Sequence, residues 1–266
     1  MLKSISNITW PQAEEEWVLK RLRERNWDAI EIAPSRIWED FRTIPRQKRI
    51  DYRKKIEYQG IKICSMHSLF WQTKGVQLFG MPVEQGNMVA YLNDLVDLAV
   101  DLKSRVMVLG SPTVRDKGNY EYDEAIAIAA EVLRKPAEYA AAMGIKILIE
   151  PLTKQETNFI NTHVDGLNLV EAVDSNGFGL HLDAKSIADE QTSLEKIILD
   201  CKGKIEHFHI NDPCLEKIGM MADYHLEIGA MLKRIKYDHY ISIEMKQSEK
   251  WRENICDSLQ YVDENY

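Results

Sequence analysis

Four residues, each closing or nearly closing an apolar run, could converge on a cation. Glu150 ends IKILIE (145–150) and Asp183 ends FGLHLD (178–183). His209 falls near the end of IEHFHI (205–210), and Glu244 near the end of YISIEM (240–245). Three carboxylates at close quarters repel one another unless a positive charge lies between them. One divalent metal ion would remove that repulsion and leave positions open for substrate oxygens. An oxygen-rich set with a single imidazole suits Mn²⁺, Mg²⁺, Co²⁺ or Zn²⁺, and the residues do not choose among them. A single carboxylate could as easily cap a helix or pair locally. Four at matching positions favour a metal centre with Glu150, Asp183, His209 and Glu244 as ligands. Such a centre would act as a Lewis acid on a substrate oxygen. Glu150 and Glu244, carboxylates from the fifth and eighth runs, are the candidate acid/base pair.

The elements that must position these residues form a regular rhythm. Apolar, β-branched runs of strand length lie at 3–8, 28–33, 61–67, 105–110, 145–150, 178–183, 205–210 and 240–245. Between them, 83–102, 121–143, 162–173 and 225–236 carry apolar residues at three- and four-residue spacing, as helices do. Asp123 or a neighbour is the expected cap of the Ala-rich helix, and Gly60, Gly144 and Gly177 are expected helix ends. Eight strands alternating with helices predict an α/β chain folded as one (β/α)8 barrel over residues 1–266. An open doubly wound sheet is disfavoured, because no glycine-rich phosphate loop follows the first strand. In a barrel, catalytic groups sit at the C-terminal ends of strands, and the four candidates obey that rule. Side chains alternate along a strand. His181 should therefore share the inward face with Asp183, and His207 with His209, where each could orient a ligand.

Bulk properties narrow the classes. The 266 residues are 45% hydrophobic, enough for a sizeable core, and no apolar run reaches membrane-spanning length. The N-terminus lacks a secretion-signal pattern. The four cysteines, Cys64, Cys201, Cys214 and Cys256, show no CxxC and read as free thiols of a cytoplasmic protein. A net charge of −8 lends no support to a nucleic-acid binder.

The segments EIAP (31–34), ILIEPL (147–152), GLHLDA (179–184), HFHIND (207–212) and YISIEM (240–245) resemble the sugar isomerase/epimerase barrels related to xylose isomerase and endonuclease IV. The resemblance covers nearly the whole chain and implies a TIM barrel whose four matching positions bind the metal. ADYHLEIG (222–229) is similar to a piece of endonuclease IV in which the Asp and His, here Asp223 and His225, help hold three zinc ions; His67 matches another ligand. Two further ligands are replaced by Gly110 and Ser186, and a glycine cannot coordinate through a side chain. A one-metal site is therefore expected, with Asp223 behind it, or capping the following helix, and His225 on the substrate.

EPLTKQETNFINT (150–162) resembles a loop of ketose 3-epimerases in which the counterpart of Glu156 contacts substrate hydroxyls. Those enzymes carry a His where this chain has Ser186 and an Arg where it has Leu215, so a different substrate is implied. The run 110–115 resembles sugar-phosphate isomerase relatives, and Arg115 could grip a phosphate or carboxylate through its fork or be a solvated loop cation. Glu31, His67 and Lys185 complete the expected substrate contacts, each weighed against a buried pair or a loop charge. Trp10, Phe70 and Trp71 could stack on a sugar, and 70–82 could form a lid. The expected function is a metal-dependent isomerase or epimerase of a sugar, sugar phosphate or cyclitol, which takes a proton next to a carbonyl through a metal-stabilised enediolate with Glu150 and Glu244 as acid/base pair. A lyase or dehydratase sharing the enolisation is the alternative, and an abasic-DNA endonuclease a lesser one. The expected partner is a small sugar-like molecule, with neither nucleic acid nor membrane; homo-oligomers through barrel helices stay open.

Overall fold

Every apolar run picked out above is a strand in the computed structural model, which describes residues 1–266. The strands are β1 (Leu2–Ser6), β2 (Ala29–Ile32), β3 (Lys62–Met66), β4 (Val106–Leu109), β5 (Lys146–Ile149), β6 (Phe178–Asp183), β7 (Ile205–Ile210) and β8 (Tyr240–Ile243). All neighbours are parallel, and β1 pairs with β8 to close a barrel in sequence order. The helices are α1 (Glu15–Glu24), α2 (Arg46–Tyr58), α3 (Pro82–Leu102), α4 (Tyr122–Ala142), α5 (His163–Val173), α6 (Ala184–Asp189), α7 (Leu194–Asp200), α8 (Ala222–Arg234) and α9 (Trp251–Asn265). The expected (β/α)8 barrel is the observed fold, with two helices in the single connection between β6 and β7.

Helix α4 shows why these stretches are helical. Ala125, Ala129, Leu133, Ala137 and Ala140 recur at three- and four-residue steps and are buried, so one stripe of the helix covers the barrel. Asp123 does not cap it: the N-cap is Glu121, and Asp123 lies in the first turn, where its charge faces the helix dipole. Gly60 and Gly144 end helices with φ of +77° and +72°. Gly177 has a different reason. The turn after α5 uses Asp174 in the left-handed region instead. A Cβ on Gly177 would lie 1.9 Å from the Ala137 carbonyl oxygen, so the glycine lets the approach to β6 touch α4.

The interior of the barrel near its mouth is polar. Ser4, Ser6, Glu31, Ser65, His67, His181, His207, His209 and Ser242 are all buried, where barrels more often stack branched apolar side chains. Register puts His181 beside His207 and Asp183 beside His209, the levels that alternation predicts. The four cysteines are free. No helix is long and apolar enough to cross a membrane.

Candidate active site

Strands deliver the four candidate ligands to one place. Glu150 and Glu244 stand one residue past β5 and β8, yet their backbone N–H groups still donate to the carbonyls of Leu109 and Ile210. The sheet ladder thus holds both residues although neither is counted in a strand. Glu150, Asp183 and His209 offer donor atoms within 4.8 Å of one another, and His181 joins the same group. Glu244 approaches from the other side, its Oε2 lying 3.4 Å from His209 Nδ1. That nitrogen also faces Glu150 Oε1 and Asp183 Oδ2, each at 3.8 Å. It is buried and has no hydrogen-bond partner. An orphaned imidazole nitrogen ringed by three carboxylates fits a divalent cation in both charge and donor type.

The electrostatics reflect the crowding. Burial, followed by repulsion from Asp183, pushes Glu150 up to about 8. Burial alone would raise Glu244 as well, but His209 and His67 outweigh it and hold that carboxyl well below the usual range. Glu244 Oε1 meets His67 Nδ1 at 3.1 Å, and its Oε2 accepts from Asn211 Nδ2 at 2.9 Å.

Glu31 was expected to touch substrate. It lies beneath the cluster instead, fully buried, bonded to His207 Nε2 at 3.0 Å, His209 Nε2 at 2.9 Å and the Ser242 hydroxyl at 3.0 Å. Burial opposes its charge, but His209, His67 and His207 outweigh that cost and keep it ionised. His207 therefore acts on His209 through Glu31. His181 packs edge-on against His209 with ring centres 4.1 Å apart. Both its nitrogens lack partners, and burial with the neighbouring imidazoles holds it neutral.

Above the cluster opens a cavity of about 910 Å³ bounded by His67, Glu150, Glu156, Lys185, Glu244 and the loops after β3, β4 and β7. His67, Glu156 and Lys185 are thus at the mouth, as expected. Lys185 Nζ lies 3.2 Å from Glu156 and 3.7 Å from Asp183. Burial works against its charge, yet the surrounding carboxylates raise its pKa.

Arg115 is not a free fork. It is 1% exposed, and Nη2 donates to the backbone carbonyl of Glu150 at 2.8 Å. Burial pulls it down to about 10. His225 lies away from the cavity: its ring nitrogens meet Asp212 Oδ1 at 3.0 Å and the Tyr266 hydroxyl at 2.7 Å. Asp223 is exposed in the first turn of α8, which starts at Ala222, and makes no cap hydrogen bond. Trp10 is buried at 1% exposure; Phe70, 3% exposed, and Trp71, 66% exposed, both line the cavity, and Trp71 is the more open stacking candidate. The far part of the expected lid is pinned: Leu78 N–H donates to the Val114 carbonyl, and Phe79 packs edge-on against Phe159.

Two contributors, Asn211 and Asp212, were not singled out in the sequence, and Gly110 was read there only as a missing ligand. Asn211 Nδ2 donates to both Asp183 and Glu244. The alternation that turns His207 and His209 inward extends to it, so its signal was present. Asp212 accepts from the N–H groups of Gly219, Met220 and Met221 and shapes the loop after β7. Gly110 makes room: a Cβ there would lie 2.1 Å from Glu150 Oε2.

Residues 19–264 match the Xylose isomerase-like TIM barrel family, and the chain belongs to it. Over 127 residues it is 30% identical to an L-ribulose 3-epimerase of Methylomonas sp. (strain DH-1), covering 48% of this chain and 44% of that protein. Over 180 residues it is 28% identical to an L-ribulose 3-epimerase of Mesorhizobium japonicum, covering 63% of this chain and 57% of that protein. The matches span about half the length of these curated relatives. Among solved structures, a D-psicose 3-epimerase with D-tagatose from Clostridium cellulolyticum H10 superimposes with a TM-score of 0.82 at 17% identity, over 100% of this chain and 98% of that one. At that identity the likeness is one of fold.

Proposed function

We propose that the protein is a divalent-metal-dependent sugar epimerase that moves a proton at the carbon beside a carbonyl. The observation that carries this reading is the orphaned His209 Nδ1, buried among Glu150, Asp183 and Glu244 beneath an open cavity. The names of the relatives, which are 3-epimerases of ketoses, point the same way. Glu150, Asp183, His209 and Glu244 would hold the metal. When bound, it would polarise the substrate carbonyl and stabilise negative charge developing there.

The protein's own groups do the rest. One of Glu150 and Glu244 takes the C–H proton, and the electron pair moves onto the carbonyl oxygen to give an enediolate. The other carboxyl returns a proton to the opposite face, which inverts the carbon. The roles exchange when the other epimer is bound. Without the metal, burial and Asp183 raise Glu150 while His209 and His67 lower Glu244, so the two carboxyls stand in different environments. Lys185, His67 and Glu156 are placed to meet substrate hydroxyls.

A three-zinc nuclease has no comparable support. Glu150 occupies the space beside Gly110, Ser186 donates its N–H to Asp183 and accepts from Lys185 Nζ, and His225 is bonded elsewhere. The test is to incubate Mn²⁺-loaded protein with a ketose panel in heavy water and follow products by NMR. Deuterium at the inverted carbon is expected. A product that has lost water identifies a dehydratase instead, and no exchange with any ketose overturns the reading.

A further inference from the structure

A second cavity of about 1040 Å³ lies beside the mouth, on the same face of the barrel. The loops after β2 and β3 and one side of α3 form it. Both cavities are lined by Trp71, Gln72 and Thr73, so the two share one wall. Each is at or near the top of the range of roughly 300–1,000 Å³ that accommodates a drug-sized ligand. A free six-carbon sugar fills only part of the first.

The shared wall is built to hold an aromatic face in the open. Trp71 is 66% exposed, whereas its neighbour Phe70 is 3% exposed and packs on Tyr91. The turn is closed by the Trp71 N–H donating to the Ser68 carbonyl, and Ser68 and Gln72 both adopt positive φ, 50° and 59°. Non-glycine residues at positive φ store strain, and such strain collects at ligand-contacting segments.

Charge narrows the ligand. In the mouth, Lys185 is paired with Glu156 and Asp183, and Arg115 is buried on the Glu150 carbonyl. In the side cleft, Arg42 is paired with Asp40 at 2.9 Å and lies over the Tyr91 ring, and Arg36 donates to the Trp10 carbonyl and Gln247. Both guanidinium groups of the cleft are therefore already engaged, and its remaining cation is Lys74. The rest of the lining includes the aromatic rings of Trp38 and Tyr91 beside the Asp94 carboxylate. Aromatic faces beside a carboxylate suit a ring with an apolar C–H face and a rim of hydroxyls.

We propose that the substrate is a keto-sugar carrying a second sugar ring, with the keto unit over Glu150 and Glu244 and the distal ring in the cleft beyond Trp71. This rests on the epimerase reading of the mouth and names the substrate class it serves.

The test compares three substrates of the Mn²⁺-loaded protein by deuterium incorporation: a free ketohexose, its 6-phosphate, and the same ketohexose bearing an O-linked hexosyl group. The glycosylated ketose is expected to show a kcat/KM at least about tenfold above the free one. Asp94→Ala is expected to lower kcat/KM for the glycosylated ketose by about tenfold more than for the free one. Equal or faster exchange with the free ketose, or a preference for the phosphate, overturns the two-ring proposal and leaves the epimerase reading standing. Exchange with none of the three overturns both.

Discussion

Glu31 Oε2 and His209 Nε2 lie 2.9 Å apart at the bottom of the barrel mouth, and neither residue is more than 1% exposed. The contact decides which edge of the imidazole is free. With Nε2–H donating to Glu31, Nδ1 is the nitrogen that faces the carboxylate ring and that a metal would take once its proton is displaced. Glu31→Gln keeps the shape but can present its amide N–H to Nε2, which moves the ring proton to Nδ1. Metal affinity is expected to fall by about 10–100-fold, the usual cost of losing a group that orients a ligand. Titration calorimetry with Mn²⁺ checks this, and wild-type affinity in the variant would refute it.

Glu150→Gln removes a proton carrier at nearly constant volume. Turnover is expected to drop by about 10²–10⁴-fold, the range for loss of a positioned acid or base. Exchange should vanish for the epimer from which Glu150 takes its proton. Undiminished exchange from both epimers in heavy water would exclude Glu150 from the chemistry.

The raised pKa of Glu150 has a definite sign in metal binding. Below about 8 the metal-free carboxyl is protonated, so a metal must displace that proton. Affinity should therefore weaken as pH falls, by about tenfold per pH unit for one proton, and level off above about 8. His209 is also raised, since Glu31 and Glu244 outweigh its burial, and it adds to the slope. Calorimetry at pH 6.5 in two buffers of different ionisation heat should report at least one proton released per metal. A value of zero would remove Glu150 from the ligand set.

Gly110→Ala tests whether the space at the end of β4 is functional. The added methyl meets the Glu150 carboxylate, a movable side-chain end, and no backbone atom is among its close contacts. The fold should survive with a near-wild-type melting temperature, while metal affinity and turnover both fall. An active variant with normal metal binding would show that Glu150 has room to spare.

The barrel was legible because period-two and period-3.6 patterns are written into each segment independently. Strand positions agreed to within a residue or two at most ends. Glu150, Asp183, His209 and Glu244 were legible because strand ends in a barrel share one face. What Glu31 and His225 touch was not legible. Glu31 does end up near the site, but whether it meets substrate or the underside of His209 depends on how deep β2 is set against β7. His225 finds Asp212 and Tyr266 through packing of α8 on α9, which no local pattern records. The side cleft is less visible still, since it exists only where the loops after β2 and β3 come together.

The division of the site between strands and loops bears on how such a protein diversifies. Glu31 bonds across the barrel to β7 and β8, so the floor cannot shift without breaking several buried contacts at once. The walls, among them Trp71, Thr113, Gln155 and Cys214, belong to connecting segments, where insertions and replacements cost little. A lineage built on this plan can acquire new substrates by rewriting its walls while inheriting the proton-moving floor unchanged. For the same reason, loop exchange between relatives is the natural engineering route to altered sugar selectivity.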